Sequence, residues 1–194
     1  MAVRPILRLG HPVLRSPTDR VDPERLDDPE IQELIDDLIE TLRDSGGVGL
    51  AAPQVGAPLQ IFVYESLAED RDPVPLRVLV NPMVEPHARE LVYDWEGCLS
   101  IPGMRGLVPR YPEVHIEALD RRGGPVSLRA EGFEARIVQH EYDHLNGVVY
   151  LDRMRDLRSL SFEEEWRRFL APVEPEESDA GSDEGNDEGS DEGT

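Results

Sequence analysis

Two stretches of this chain repeat their apolar residues with the period of a helix, and a third does so weakly. From Asp28 to Ser45, the residues Ile31, Leu34, Ile35, Leu38, Ile39 and Leu42 return every three or four positions and share one helical face. Asp28 can cap the start, Pro29 suits the first turn, and Gly46-Gly47 ends the segment. From Glu131 to Asn146, Phe133 is followed at +4, +7 and +11 by Ile137, His140 and His144. Two histidines therefore continue an inward-facing apolar stripe, and Gly147 closes the helix. A third helix is expected near Ser161. There Ser161 and Glu164 have capping-box spacing, and Trp166, Phe169 and Leu170 supply a side to bury.

Elsewhere the pattern is that of strands. Leu59 to Glu65, Arg77 to Val80, Glu113 to Leu119 and Pro125 to Glu131 are rich in Val, Ile and Leu and bounded by Pro, Gly or Asp. Arg121-Arg122-Gly123-Gly124 is expected to turn the last two into an antiparallel hairpin. Few strands joined by hairpins, with helices before and after, predict an α+β fold. Its antiparallel strands and hairpins would pack around a central helix, the one carrying the histidines. After Pro172 the composition changes abruptly to Ser, Asp, Glu and Gly, with no basic residue and nothing to bury beyond Val173. The expected division is a catalytic domain over residues 1–172 and an acidic tail over 173–194 that stays disordered.

The charge narrows the partners. A net −21 over 194 residues makes nucleic acid and anionic membrane poor partners for the body. No apolar run is long enough to cross a bilayer, and the first ten residues lack the pattern of a secretory signal, so a cytoplasmic protein is expected. A single cysteine, Cys98, rules out an internal disulfide. All 20 basic residues are arginine. Either a GC-rich genome or adaptation to a salty cytoplasm accounts for that bias.

The chemistry gathers in Gln139-His140-Glu141-Tyr142-Asp143-His144. Histidines at i and i+4 of a helix aim two imidazoles at one point, and Glu141 sits where its carboxylate can reach a metal-held water. A lone inward histidine would more simply be a core residue. Two of them beside a buried carboxylate are better explained by one divalent ion. A catalytic site needs a third ligand and an open position. The candidates are Cys98, in the tight segment Glu96-Gly97-Cys98-Leu99-Ser100, and a glutamate among Glu163, Glu164 and Glu165. Cys98 is favoured, because acids opening an amphipathic helix are explained by the helix dipole. Gly46 to Gln54 is small and glycine-rich but lacks the spacing of a phosphate loop.

Taken together, Gly47 to Gln54, Glu96 to Ser100 and Gln139 to Gly147 resemble the three signature segments of the peptide deformylases. The family's segments are Gly-x-Gly-Leu-Ala-Ala-x-Gln, Glu-Gly-Cys-Leu-Ser and Gln-His-Glu-x-Asp-His-Leu-x-Gly. Gly10 to Arg15 also resembles the family's N-terminal segment, and the likeness runs from about residue 4 to 170. The resemblance implies hydrolysis of the N-formyl group from the formyl-methionine of new polypeptides, releasing formate. It implies one divalent ion on Cys98, His140 and His144, natively Fe(II), with Zn(II) or Ni(II) as alternatives. Glu141 would be the base, and Gln54 and the backbone N–H of Leu99 the oxyanion donors. Val48, Gly49 and Gly97 would meet the extended substrate, and Val48, Phe133 and Ile137 its methionine side chain. Glu96 and Arg110 would pair to fix the Cys98 loop, with an exposed pair of little worth as the plain alternative. Asp143 would bond a nearby loop or histidine. The implied partner is the formyl-Met nascent peptide at the ribosome, met by a monomer.

Two rival readings remain at this point: a metalloendopeptidase with a glutamate third ligand, and a non-catalytic protein with a closed structural metal site. The acidic composition carries its own test. If the chain is salt-adapted, screening of its self-repulsion should raise both the thermal midpoint and the activity in molar KCl. Flat or falling values would leave genome composition as the explanation.

Overall fold

The computed structural model describes residues 2–67 and 72–171. The acidic segment over 173–194 lies outside them. Among the described residues the α-helices are α1 (Pro29–Ser45), α2 (Gly132–Leu145), α3 (Tyr150–Arg153) and α4 (Glu163–Phe169). Eight strands are β1 (Gly49–Ala51), β2 (Ile61–Ser66), β3 (Val74–Pro86), β4 (Val92–Cys98), β5 (Ile101–Arg110), β6 (Glu113–Leu119), β7 (Pro125–Glu131) and β8 (Ser161–Phe162). They form two antiparallel sheets, one in the order β1-β2-β3-β6-β7 and one in the order β4-β5-β8. The fold is α+β, as expected. No helix among the described residues is long and apolar enough to cross a membrane.

Strand β2 shows how the sheet is held. Side chains alternate across a strand, and here both faces are covered. Ile61 and Val63 enter a core with Leu34, Ile35, Leu38 and Leu42 of α1, while Phe62 and Tyr64 enter a second core with Ile137, Val138 and Leu145 of α2. That double burial explains why β2 reads as an unbroken apolar run. α2 is central, packed against β1, β2, β3, β6 and β7. A third, smaller core joins Ile101 and Val108 of β5 to Val149 and Tyr150.

Several local expectations differ from the structure. α1 starts at Pro29 and ends at Gly46 in the left-handed region, but Asp28 makes no side-chain cap. Its carboxylate instead accepts from Arg25 Nε at 2.9 Å. β3 extends well beyond Arg77–Val80, because a register shift between Val80 and Met83 lets the strand continue from β2 to β6. Asn81 sits in that shift at φ +51°, and its side-chain amide exchanges bonds of 2.8 and 2.7 Å with the Val21 backbone. The β4–β5 hairpin is new. The capping box at Ser161 does not form, since Ser161 and Phe162 pair with β5 and α4 begins at Glu163. Trp166 packs edge-on against Trp95 and under Arg105, but Phe169 and Leu170 remain exposed.

A strap of early residues crosses the molecule. Leu7 N donates to Gln54 O at 2.8 Å, Leu9 N to Ser100 O at 2.8 Å, and Thr18 N to Leu145 O at 2.9 Å. The last of these satisfies a carbonyl at the C-terminal end of α2. Gly147 makes the close approach possible. Its φ is +71°, and a Cβ there would stand 2.8 Å from the Arg15 carbonyl carbon. Both the left-handed backbone and the contact with fixed main chain oppose a side chain. Gly147→Ala should therefore cost more than about 1 kcal/mol. In a chain of this size that lowers the thermal midpoint by at least about 2 °C, which calorimetry would read; an unchanged midpoint would mean the strap yields.

Candidate metal centre

α2 presents His140 and His144 one turn apart on one face, with ring centroids 5.1 Å apart. Cys98 arrives from the other sheet, at the end of β4. The β4–β5 register slips between Gly97 and Cys98, and the two-residue turn at Leu99-Ser100 follows. Cys98 Sγ comes within 3.3 Å of His144 Nε2. One donor atom from each of Cys98, His140 and His144 lies within 4.8 Å of the other two. The structure thus brings together the three expected ligands. It does not bring the glutamates: Glu163 is engaged by Arg105 at 3.2 Å and Arg167 at 3.0 Å, and Glu164 and Glu165 are exposed on α4.

His140 is oriented from behind. Its Nδ1 lies 2.9 Å from Glu96 Oε2, and Tyr150 stacks on its ring at 6.3 Å. Glu96 is only 5% exposed and is held by two guanidiniums. Arg110 bonds both oxygens, Nε to Oε1 at 2.9 Å and Nη2 to Oε2 at 3.0 Å, and Arg136 Nη1 donates to Oε1 at 2.7 Å. Burial would raise the Glu96 pKa, but the His140 bond and Arg110 outweigh it and hold the carboxyl well below the usual range. The exposed-pair alternative for Glu96 and Arg110 is therefore overturned. Asp143 departs from expectation as well. It accepts from Arg110 at 2.5 Å and from Arg153 at 3.0 and 2.6 Å, where a loop or histidine was expected.

Glu141 projects from the same helix into a buried spot. It is 4% exposed, Oε2 has no partner among the described residues, and burial lifts its pKa to about 7. Gly49 makes room for it, because a Cβ at Gly49 would overlap the Glu141 carboxylate. Gln54, also buried, accepts at Oε1 from Ala51 N at 2.8 Å. That bond turns its amide nitrogen toward Ser100 Oγ at 3.2 Å and Cys98 Sγ at 3.7 Å. Leu99 is half-buried beside the α1 core, and Gly97 pairs with Arg105 in the hairpin. Val48, Phe133 and Ile137 share one apolar cluster, the first two partly exposed.

The donor set fits a divalent ion. Burial drives the His144 pKa well below its usual value, assisted by the positive charges of His140 and Arg110, so the ring stays neutral as a ligand must. Burial works in the same direction on His140, but its bonds to Cys98 and Glu96 prevail and raise it well above. His144 Nδ1 and Glu141 Oε2 are buried without partners among the described residues. A sulfur with two imidazoles suits Zn(II) or Fe(II) better than a hard, oxygen-seeking cation.

Sequence reasoning missed Arg136, Ser100, Tyr150 and the brace of Gln139, which bonds the Tyr111 backbone at both ends of its amide (2.8 and 3.1 Å). One signal was available: Arg136 sits four residues before His140, a charge on the buried stripe.

The Polypeptide deformylase family profile matches residues 3–159. "Peptide deformylase 1" of Bordetella pertussis is 46% identical over 166 residues, 84% of this chain and 93% of that protein. "Peptide deformylase 1" of Nitrosomonas europaea is 43% identical over 164 residues, 82% and 92% respectively. Among solved structures, a class I type b peptide deformylase from Acinetobacter baumannii superposes with a TM-score of 0.76 at 34% identity, covering 79% of this chain and all of that one. The Synechococcus elongatus peptide deformylase in complex with actinonin gives 0.73 at 40% identity, covering 80% and 81%. The arrangement of a cysteine and a His-Glu-x-x-His helix thus sits in a matching fold and sequence, and the chain belongs to the polypeptide deformylase family.

Proposed function

We propose that residues 1–172 form a peptide deformylase whose working parts are Cys98, His140, His144, Glu141, Gln54 and Leu99. The enzyme is a metal-dependent hydrolase that removes the formyl group from N-terminal formyl-methionine and releases formate. The observation that carries the assignment of parts is the meeting of one sulfur and two imidazoles beside a buried glutamate with a free oxygen. Cys98, His140 and His144 would hold one ion per chain, Fe(II) natively, with Zn(II) or Ni(II) able to substitute. When bound, the ion supplies Lewis acidity and lowers the pKa of a water toward neutrality.

The remaining steps belong to the protein. Glu141 takes the proton of the attacking water and returns it to the departing amine nitrogen, and burial, which raises its pKa, strengthens it as a base. The Gln54 amide, its orientation set by Ala51, and the Leu99 N–H donate to the oxygen that gains charge as the formyl carbon becomes tetrahedral. β1 and β4 are terminal strands of their sheets, which supports an extended peptide pairing along Val48, Gly49 and Gly97. Val48, Phe133 and Ile137 would receive the methionine side chain. The Acinetobacter baumannii peptide deformylase solved with Met-Ala-Ser bound, at 33% identity and a TM-score of 0.75 over 79% of this chain and 99% of that one, supports such a ligand. Glu96, Arg110 and Asp143 would keep the ligand helix and hairpin in place. The nascent formyl-Met peptide at the ribosome would be met by a cytoplasmic monomer.

Formate release from a formyl-Met peptide, measured on anaerobically purified protein alongside elemental analysis, tests this. One ion per chain and robust turnover are expected. Gln54→Ala should lower turnover by about 10²–10³-fold, and Glu141→Ala by more while retaining the ion. Cys98→Ala should lose the ion. Near-normal turnover by ion-bearing Glu141→Ala would remove that residue as the base.

A pH dependence follows from Glu96. Its folded pKa is depressed, so its stabilisation is complete above an unfolded value of about 4.3 and lost as pH falls toward the folded one. Denaturant unfolding of the metal-free protein should show stability falling on acidification below that point. Glu96→Gln should be less stable at neutral pH and show a shallower acid decline; an identical decline would mean other carboxyls control it.

A further inference from the structure

The three proposed ligands belong to two separately built parts of the molecule. His140 and His144 ride on α2, which packs on the five-stranded sheet, and Cys98 ends a strand of the other sheet. A centre assembled this way needs something to set the gap between helix and hairpin before any ion arrives. Two arginines reach the buried Glu96, but they are not equivalent. Arg110 lies on β5, within the hairpin itself, and bonds α2 through Asp143. Arg136 lies on α2, one turn before His140, and is 7% exposed.

The Arg136 guanidinium spans the hairpin. Nη1 donates to Glu96 Oε1 at 2.7 Å and to Val108 O at 2.9 Å, and Nη2 donates to Val92 O at 2.9 Å. It therefore grips the start of β4, the end of β5 and the carboxylate two residues before Cys98. We propose that Arg136 is a positioning residue that sets the spacing between Cys98 and the two histidines, so that its loss loosens metal retention while all three ligands remain. The proposal deepens the functional reading above and rests on Cys98, His140 and His144 being the ligands.

The chemistry of the side chain makes the claim specific. A guanidinium is a planar fork with five donors, and it can serve one carboxylate and two separate carbonyls at once. A lysine keeps the charge but offers a single compact ammonium that cannot reach both carbonyls while holding Glu96. Arg136 also loads Oε1 of Glu96, leaving Oε2 to face His140. Loss of the partners behind a ligating histidine commonly weakens a metal site by about 10–100-fold.

The experiment uses full-length protein loaded with Zn(II), with release to a chromophoric chelator followed well below the melting temperature. Arg136→Lys and Arg136→Met should both be folded by circular dichroism and release zinc about 10–100-fold faster than the unaltered chain. Arg129→Met, which removes an exposed ion pair with Glu113, should release at the original rate. Adding Arg136→Met to Glu96→Gln should accelerate release by less than the product of the two single effects, since the Glu96 bond is shared while those to Val108 and Val92 are not. A folded Arg136→Lys protein with the original release rate would overturn the proposal. So would fully additive effects in the double variant. Failure of Arg136→Lys to fold would also overturn it, because the residue would then serve the fold as a whole. If the unaltered protein held no zinc, the ligand reading itself would fall, a result distinct from equal retention in both proteins.

Discussion

A single buried carboxylate, Glu96, organises this molecule. Three cationic or hydrogen-bonding groups from two elements converge on it: Arg110 from β5, and Arg136 and the His140 ring from α2. Burying a carboxylate is costly unless it is paired and fully bonded, and here both oxygens are used. Removing one member of such a group commonly costs about 3–5 kcal/mol, because the remaining charge is stranded in a dry place. The hairpin that ends in Cys98 is thereby locked to the helix that carries the histidines. Everything chemical in the molecule is referenced to that lock.

The same network separates two histidines that look alike in the sequence. His140 is tied to Glu96 and drawn toward a positive state, while His144 is dry, near positive neighbours and neutral. One site needs both kinds of neighbourhood. The first fixes which ring nitrogen faces forward, and the second keeps a lone pair available. Glu141, between them in sequence, has its protonation set by burial rather than pairing, and Gly49 provides its space.

Much of this was legible in the residue pattern, for identifiable reasons. α1, α2, β6 and β7 carry strong periodicity bounded by turn residues, and the structure keeps those segments with little change. The meeting of Cys98, His140 and His144 was legible because the spacing of the two histidines is a helical repeat and Cys98 stands alone beside a glycine at a tight turn. The β4–β5 hairpin was not. Its strands hold Asp94, Glu96, Pro102, Gly103, Gly106 and Pro109, which depress any strand signal, and their pairing is stabilised by partners distant in sequence. Asp28 and Ser161 failed as caps because each found a competing partner, Arg25 in one case and strand pairing with β5 in the other. Local propensity cannot register such competition.

The strap formed by residues 7 to 18 bears on the order of events during synthesis. These residues precede their main-chain partners Gln54, Ser100 and Leu145 by long stretches of sequence. The last of those is translated when most of the domain has already emerged. Long-range closures of this kind are slow relative to local ones. The strap therefore waits for the far end of α2, and the enzyme that trims newborn chains closes its own fold only once that helix has been made.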